Sequence, residues 1–135
     1  MTNNDYEFSE KIHSILLSPY LSKEELNDNC DVIKRYDIKN ISTSLNYITY
    51  LKDNLNNNKT RINTLISYPF SDLPQNTIKW IVSYAKDSGA KGIEYVPKFF
   101  FLANNDDEKF ANDIENILKS ELPATIIFNK NNLKE

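Results

Sequence analysis

The chain has 135 residues, with 16 Lys plus Arg against 19 Asp plus Glu, a formal charge of −3, one Cys, one His and two Gly. This is the length of a single domain, residues 1–135. One Cys and one His exclude an internal disulfide and a structural zinc site, and an acidic balance without a basic run excludes a general nucleic-acid binder.

Five short stretches rich in Ile, Val, Thr or Tyr read as strands: Ile12 to Leu17, Ile38 to Ser44, Arg61 to Tyr68, Gly92 to Val96 and Ala124 to Asn129. Helical spacing fills the intervals. After Ile12 to Leu17, Ser22 and Glu25 form a capping box ahead of Leu26, Cys30 and Ile33, which share one face. Leu45 to Asn56 repeats that spacing with Ile48, Leu51 and Leu55. Asp72 and Gln75 read as a second capping box with Pro74 in the first turn. The helix they open places Ile78, Ile81, Val82 and Ala85 on one face, and Gly89 closes it as a left-handed cap. A last helix, Asp107 to Ser120, is expected to turn Phe110, Ile114, Ile117 and Leu118 inward. Asparagine clusters at 56–58, 104–105 and 131–132 fall between these segments and read as loops.

Strand alternating with helix predicts right-handed crossovers and a parallel sheet. Two α/β architectures satisfy that order: about five strands of a (β/α)8 barrel, or a small doubly wound sandwich. With glycine only at positions 89 and 92, the chain lacks the Gly-rich first turn of the usual nucleotide binders, so no cofactor is expected. The polar, acidic start has neither a secretory nor a matrix-targeting pattern, and no apolar run approaches a membrane span of roughly 18 residues. The expected location is intracellular: the cytoplasm, or an organelle interior reached without a recognisable presequence.

Several segments resemble the deoxyribose-phosphate aldolases, a class I aldolase family built on the TIM barrel. Ile12-His-Ser-Ile-Leu-Leu-Ser-Pro19 is similar to that family's first strand, Ile-Asp-His-Thr-Leu-Leu-Lys-Pro. Ile41-Ser-Thr-Ser-Leu-Asn-Tyr-Ile48 resembles its Val-Cys-Val-Asn-Pro-Ser-Tyr-Val, and Ile66-Ser-Tyr-Pro-Phe-Ser71 its Ile-Gly-Phe-Pro-Leu-Gly. Ser88-Gly-Ala-Lys-Gly-Ile-Glu-Tyr-Val96 follows its Gly-Ala-Asp-Glu-Ile-Asp-Met-Val, and Ala124-Thr-Ile-Ile-Phe-Asn129 falls where its fifth strand lies. The resemblance implies a partial barrel truncated after the fifth strand, without the lysines that the family carries on its sixth and seventh strands. The family's first-strand Asp, second-strand Cys and fourth-strand Asp correspond to His13, Ser42 and Glu94, and its two glycines after the third strand to Ser67 and Ser71.

The expectation is therefore a non-catalytic aldolase-like protein serving as a binding or structural component, such as a subunit of a larger assembly. The alternative is a Schiff-base lyase active only when two half barrels assemble. Lys98 and Glu94, near the C-terminal end of the fourth strand, are candidates for amine and proton shuttle, and His13 for an acid or base. A Ser/His pair of His13 with Ser42 or Ser44 would arise only by coincidence, because no nucleophile elbow is present. Cys30 reads as core packing, and Asp106 to Glu108 as acidic residues offsetting a helix dipole rather than metal ligands. Phe99, Phe100 and Phe101 are candidate interface residues. Partners are expected to be proteins, or a second copy joined through exposed strand edges.

Overall fold

The computed structural model describes residues 12–56 and 59–128. Its strands are β1 (His13–Leu16), β2 (Asn40–Thr43), β3 (Arg61–Ile66), β4 (Gly92–Tyr95) and β5 (Ala124–Ile126), all parallel and in the order β1-β2-β3-β4-β5. Between them lie α1 (Lys23–Arg35), α2 (Ile48–Asn54) behind a 3₁₀ turn at Leu45–Tyr47, α3 (Gln75–Ser88), α4 (Phe99–Ala103) and α5 (Asp107–Leu118). No described helix is long and apolar enough to cross a membrane.

Strictly sequential strand order decides between the two architectures. Right-handed crossovers that always step to the next strand in one direction put every helix on one face of the sheet. A doubly wound sandwich needs a reversal of strand order to cover both faces, and none occurs among the described strands, which sets that alternative aside. Burial agrees. Ile41, Thr43, Ile62, Thr64, Ile66, Ile93 and Tyr95 alternate onto the covered face, where the apolar ones pack with Cys30, Ile33, Ile48, Leu51, Ile78, Val82, Ala85 and Ile117 from the helices. Each such aliphatic side chain contributes about 1.5–3 kcal/mol by leaving water. Thr43 and Thr64 satisfy their buried hydroxyls on the carbonyls of Leu16 and Thr43, at 3.0 and 3.2 Å. The opposite face carries His13, Ile15, Asn40, Ser42, Arg61, Asn63, Leu65 and Glu94, and there Ile15 is 60% exposed.

Local signals set most element ends. Ser22 and Glu25 form the reciprocal capping box of α1, and Gly89, at φ 112°, ends α3 in the left-handed conformation. The expected box of Asp72 and Gln75 does not form. Pro74 itself is the N-cap, with an extended ψ of 151°, so the helix begins at Gln75 and Asp72 lies too far back to cap it. β3 is shorter than its apolar run because Ser67 turns to φ 61°. Asn129, at the end of the predicted fifth strand, and Asn57, Asn58, Asn131 and Asn132 lie outside the described residues.

Ser67 and Ser71 stand where the resembling family has glycine, and both hold positive φ, 61° and 58°. A left-handed backbone costs an L-residue roughly 1–2 kcal/mol. Ser71 recovers part of that through a hydroxyl hydrogen bond to the Pro97 carbonyl. The hydroxyl of Ser67 is buried without a partner among the described residues. Ser67→Gly is therefore expected to raise stability by about 1–2 kcal/mol in a urea titration, after allowing for glycine's larger unfolded-state entropy. Ser71→Gly, which forfeits a hydrogen bond, should change it little.

Candidate functional site

The face of the sheet turned away from the helices gathers three polar side chains from three strands, with Ser42 and Glu94 buried and His13 exposed. His13 on β1 places Nε2 2.9 Å from Oε1 of Glu94 on β4 and in contact with Oγ of Ser42 on β2. Ser42 donates its hydroxyl proton to the same Glu94 oxygen. On a flat sheet β1 and β4 would lie about 14 Å apart, with side chains standing parallel. Their convergence requires the sheet to curl toward this face, as a barrel wall does, and the face is concave.

The Ser42–His13 contact, treated above as a coincidence, is formed, yet it does not make a nucleophilic triad. A base that takes a proton from serine uses one ring nitrogen and is oriented by a carboxylate on the other. Here serine and carboxylate meet the same nitrogen. The arrangement instead fixes a Glu94 carboxyl, nearly buried, between two donors. One of them, His13, has a side chain 41% exposed. A cavity of about 430 Å³ opens beside the cluster, lined also by Asn40, Arg61, Asn63 and Thr125.

Lys98 takes no part in this cluster. Its backbone N–H donates to Asp113 Oδ2 at 2.9 Å and its Nζ lies 3.6 Å from Asp113 Oδ1. Asp113, on α5, is 2% exposed, and both its oxygens also accept from the Tyr95 hydroxyl, each at 2.9 Å. Burial first, and the Asp113 charge second, hold the Tyr95 hydroxyl far above the usual phenol range, so it remains a donor. Lys98 and Glu94, the candidate amine and proton shuttle, are not paired; Lys98 forms an ion pair with Asp113 on the helix-covered side.

Asp113 was missed by the sequence reading. Leu118, expected inward, is exposed; the buried stripe of α5 runs through Asp113 and Ile117. The available signal was a charged residue three positions after Phe110 and four before Ile117, on the apolar stripe itself.

The three phenylalanines form α4 and divide their roles. Phe99 packs against Phe110 and Phe128, with ring centroids at 5.9 and 6.0 Å. Phe101 is half-buried with the Lys109 ammonium 6.0 Å from its ring, and Phe100 is 71% exposed. Tyr20 and Phe70, in the segments after β1 and β3, are exposed as well. Cys30 is buried in the core, and burial raises its thiol pKa. Asp106 caps α5 by accepting from the Lys109 N–H. Among the described residues no group of three or more His, Cys, Asp or Glu side chains could hold a metal ion.

No protein-family model matches the chain. A deoxyribose-phosphate aldolase from Dictyoglomus turgidum is 24% identical over 117 residues, 87% of this chain and 53% of its own length. One from Mycoplasmopsis pulmonis is 25% identical over 113 residues, 84% of this chain and 51% of its own. Among solved structures, a candidate deoxyribose-phosphate aldolase from Coccidioides immitis superposes with a TM-score of 0.87 at 14% identity, covering 94% of this chain and 51% of that one. The chain spans about half the length of the curated relatives it matches. Along that half, in sequence and in fold, it resembles the deoxyribose-phosphate aldolases.

Proposed function

We propose that the chain is a non-catalytic, aldolase-like binding or structural component that offers its concave face and strand edges to a protein partner. One observation carries this reading: the concave face presents His13, Asn40, Ser42, Arg61, Asn63 and Glu94 but no lysine among the described residues. Schiff-base chemistry requires an amine with a lowered pKa, and the candidate amine, Lys98, is held by a buried carboxylate on the other side of the sheet. The one-sided packing supports a binding role, because an open parallel sheet with Ile15 exposed gains stability when something covers it. Phe100 offers a further apolar contact beyond the end of β4.

A second reading has its own support. Glu94, His13 and Ser42 converge on the concave face as an acid–base group would, and the chain spans about half the length of the relatives it matches. On this reading the chain is half of a class I aldolase whose lysine comes from a companion half.

One experiment separates the two. The pure chain, and the complex captured from its own source, are incubated with deoxyribose 5-phosphate and then with borohydride. The first reading expects no turnover and no adduct from either sample. Turnover by the pure chain overturns it, whereas a lysine adduct found only in the complex establishes the second reading.

A further inference from the structure

The cavity beside the Glu94 cluster extends to a polar row at one edge of the sheet, of which only His13 belongs to that cluster. His13, Asn40 and Arg61 are the first residues of β1, β2 and β3 and stand opposite one another in the sheet register, in a row at the N-terminal edge. Asn63 stands one inward position further along β3. All four line the cavity, with Ile15, Pro123 and Ile127 as its apolar walls.

Arg61 is an exposed residue whose guanidinium is held by two hydrogen bonds. Its Nε donates to Asn63 Oδ1 at 3.2 Å, and its Nη2 to the Lys91 carbonyl at 3.2 Å. Both side chains lie over the β4 backbone at Gly92. A Cβ at Gly92 would fall 2.5 Å from Asn63 Oδ1 and 2.9 Å from Arg61 Nη2, so the absence of a side chain there is what seats the guanidinium. A guanidinium has five N–H donors; two are used in these bonds, which leaves three. No described carboxylate forms an ion pair with it. Because Asn63 Oδ1 accepts from Arg61, the Asn63 amide nitrogen remains a donor at the buried side of the cavity.

We propose that this end of the cavity binds a small monocarboxylate, with the anion on Arg61 and on the amides of Asn40 and Asn63. Planar, two-oxygen geometry matches the remaining edge of the guanidinium. The aliphatic walls accept a short apolar body, and a volume of about 430 Å³ is ample for one. Glu94 at the same cavity disfavours a second negative charge. The site lies at the N-terminal edge of the strands, the end opposite that where barrel active sites form, and it does not depend on whether the chain turns over an aldol substrate. Turnover of deoxyribose 5-phosphate would overturn the function proposed above and leave this site untouched.

The test is a heteronuclear NMR titration of the full chain at low ionic strength, following the Arg61 Nε–H and the side-chain amides of Asn40 and Asn63. Butyrate, succinate, inorganic phosphate and the uncharged butyramide serve as probes. Saturable shifts are expected at all three side chains with butyrate, at least tenfold weaker binding of succinate, and none of butyramide. Arg61→Gln should abolish the butyrate shifts. Gly92→Ala, which displaces the guanidinium while keeping its charge, should weaken them at least fivefold. The proposal is overturned by unsaturable or absent shifts with butyrate in the unmodified chain, by equal binding of butyramide, or by butyrate binding that survives Arg61→Gln. Binding of phosphate in preference to butyrate would overturn the carboxylate assignment.

Discussion

Asp113→Ala is expected to cost about 3–5 kcal/mol of folding stability, the range for removing one partner of a buried charged network. The side chain accepts the single Tyr95 hydroxyl proton, shared between its two oxygens, and a hydrogen bond from the Lys98 backbone, and it faces the Lys98 ammonium. Alanine leaves the Tyr95 hydroxyl and the Lys98 N–H without an acceptor in a region that excludes water. Asp113→Asn keeps the volume and one oxygen, and should cost only about 1–2 kcal/mol. Urea denaturation of the two variants checks both figures. A loss below about 1 kcal/mol for Asp113→Ala would show that α5 is not anchored to β4 through this carboxylate.

The second large effect is at Leu51. The seven residues of α2 are too few to hold a helix by backbone hydrogen bonding, since nucleation alone outweighs so short a run. The helix persists because Ile48 and Leu51 are fully buried against the sheet. Leu51→Ala is expected to cost about 2–5 kcal/mol. It should also raise amide exchange in α2 and the neighbouring turn well before it does so in β3 or β4. Exchange that instead rises uniformly would mean that α2 and the central strands open as one unit.

What the sequence disclosed and what it concealed divide by the range of the interaction. The capping box of Ser22 and Glu25 and the left-handed Gly89 are decided within a few residues, and both were legible. Short runs rich in Ile, Val, Thr or Tyr between polar segments marked all five strands, because β-branched and aromatic residues favour extended backbone locally. The second capping box failed because Pro74, compatible with a first turn, is equally at home at the N-cap with extended ψ. Strand order could not be read from the pattern, so the barrel piece and the doubly wound sandwich were separable only once the sequential pairing was seen. The candidate site was harder still. His13 and Glu94 are 81 positions apart in a chain of 135, and only the curl of the sheet makes them neighbours. Asp113 stands on the apolar stripe of its helix, but its partner Tyr95 lies 18 positions earlier, beyond the reach of a local pattern.

The sequential pairing of the strands also bears on how the chain acquires its shape. Paired residues are separated by 27 positions from β1 to β2, 21 from β2 to β3, 29 from β3 to β4 and 31 from β4 to β5, as the pairs His13–Asn40, Asn40–Arg61, Asn63–Gly92 and Ile93–Ala124 show. No strand must wait for a distant one, so the entropic cost of closing each loop stays small and nearly constant. A nascent chain leaving the ribosome could therefore add one strand-and-helix unit at a time, each docking on the unit just completed.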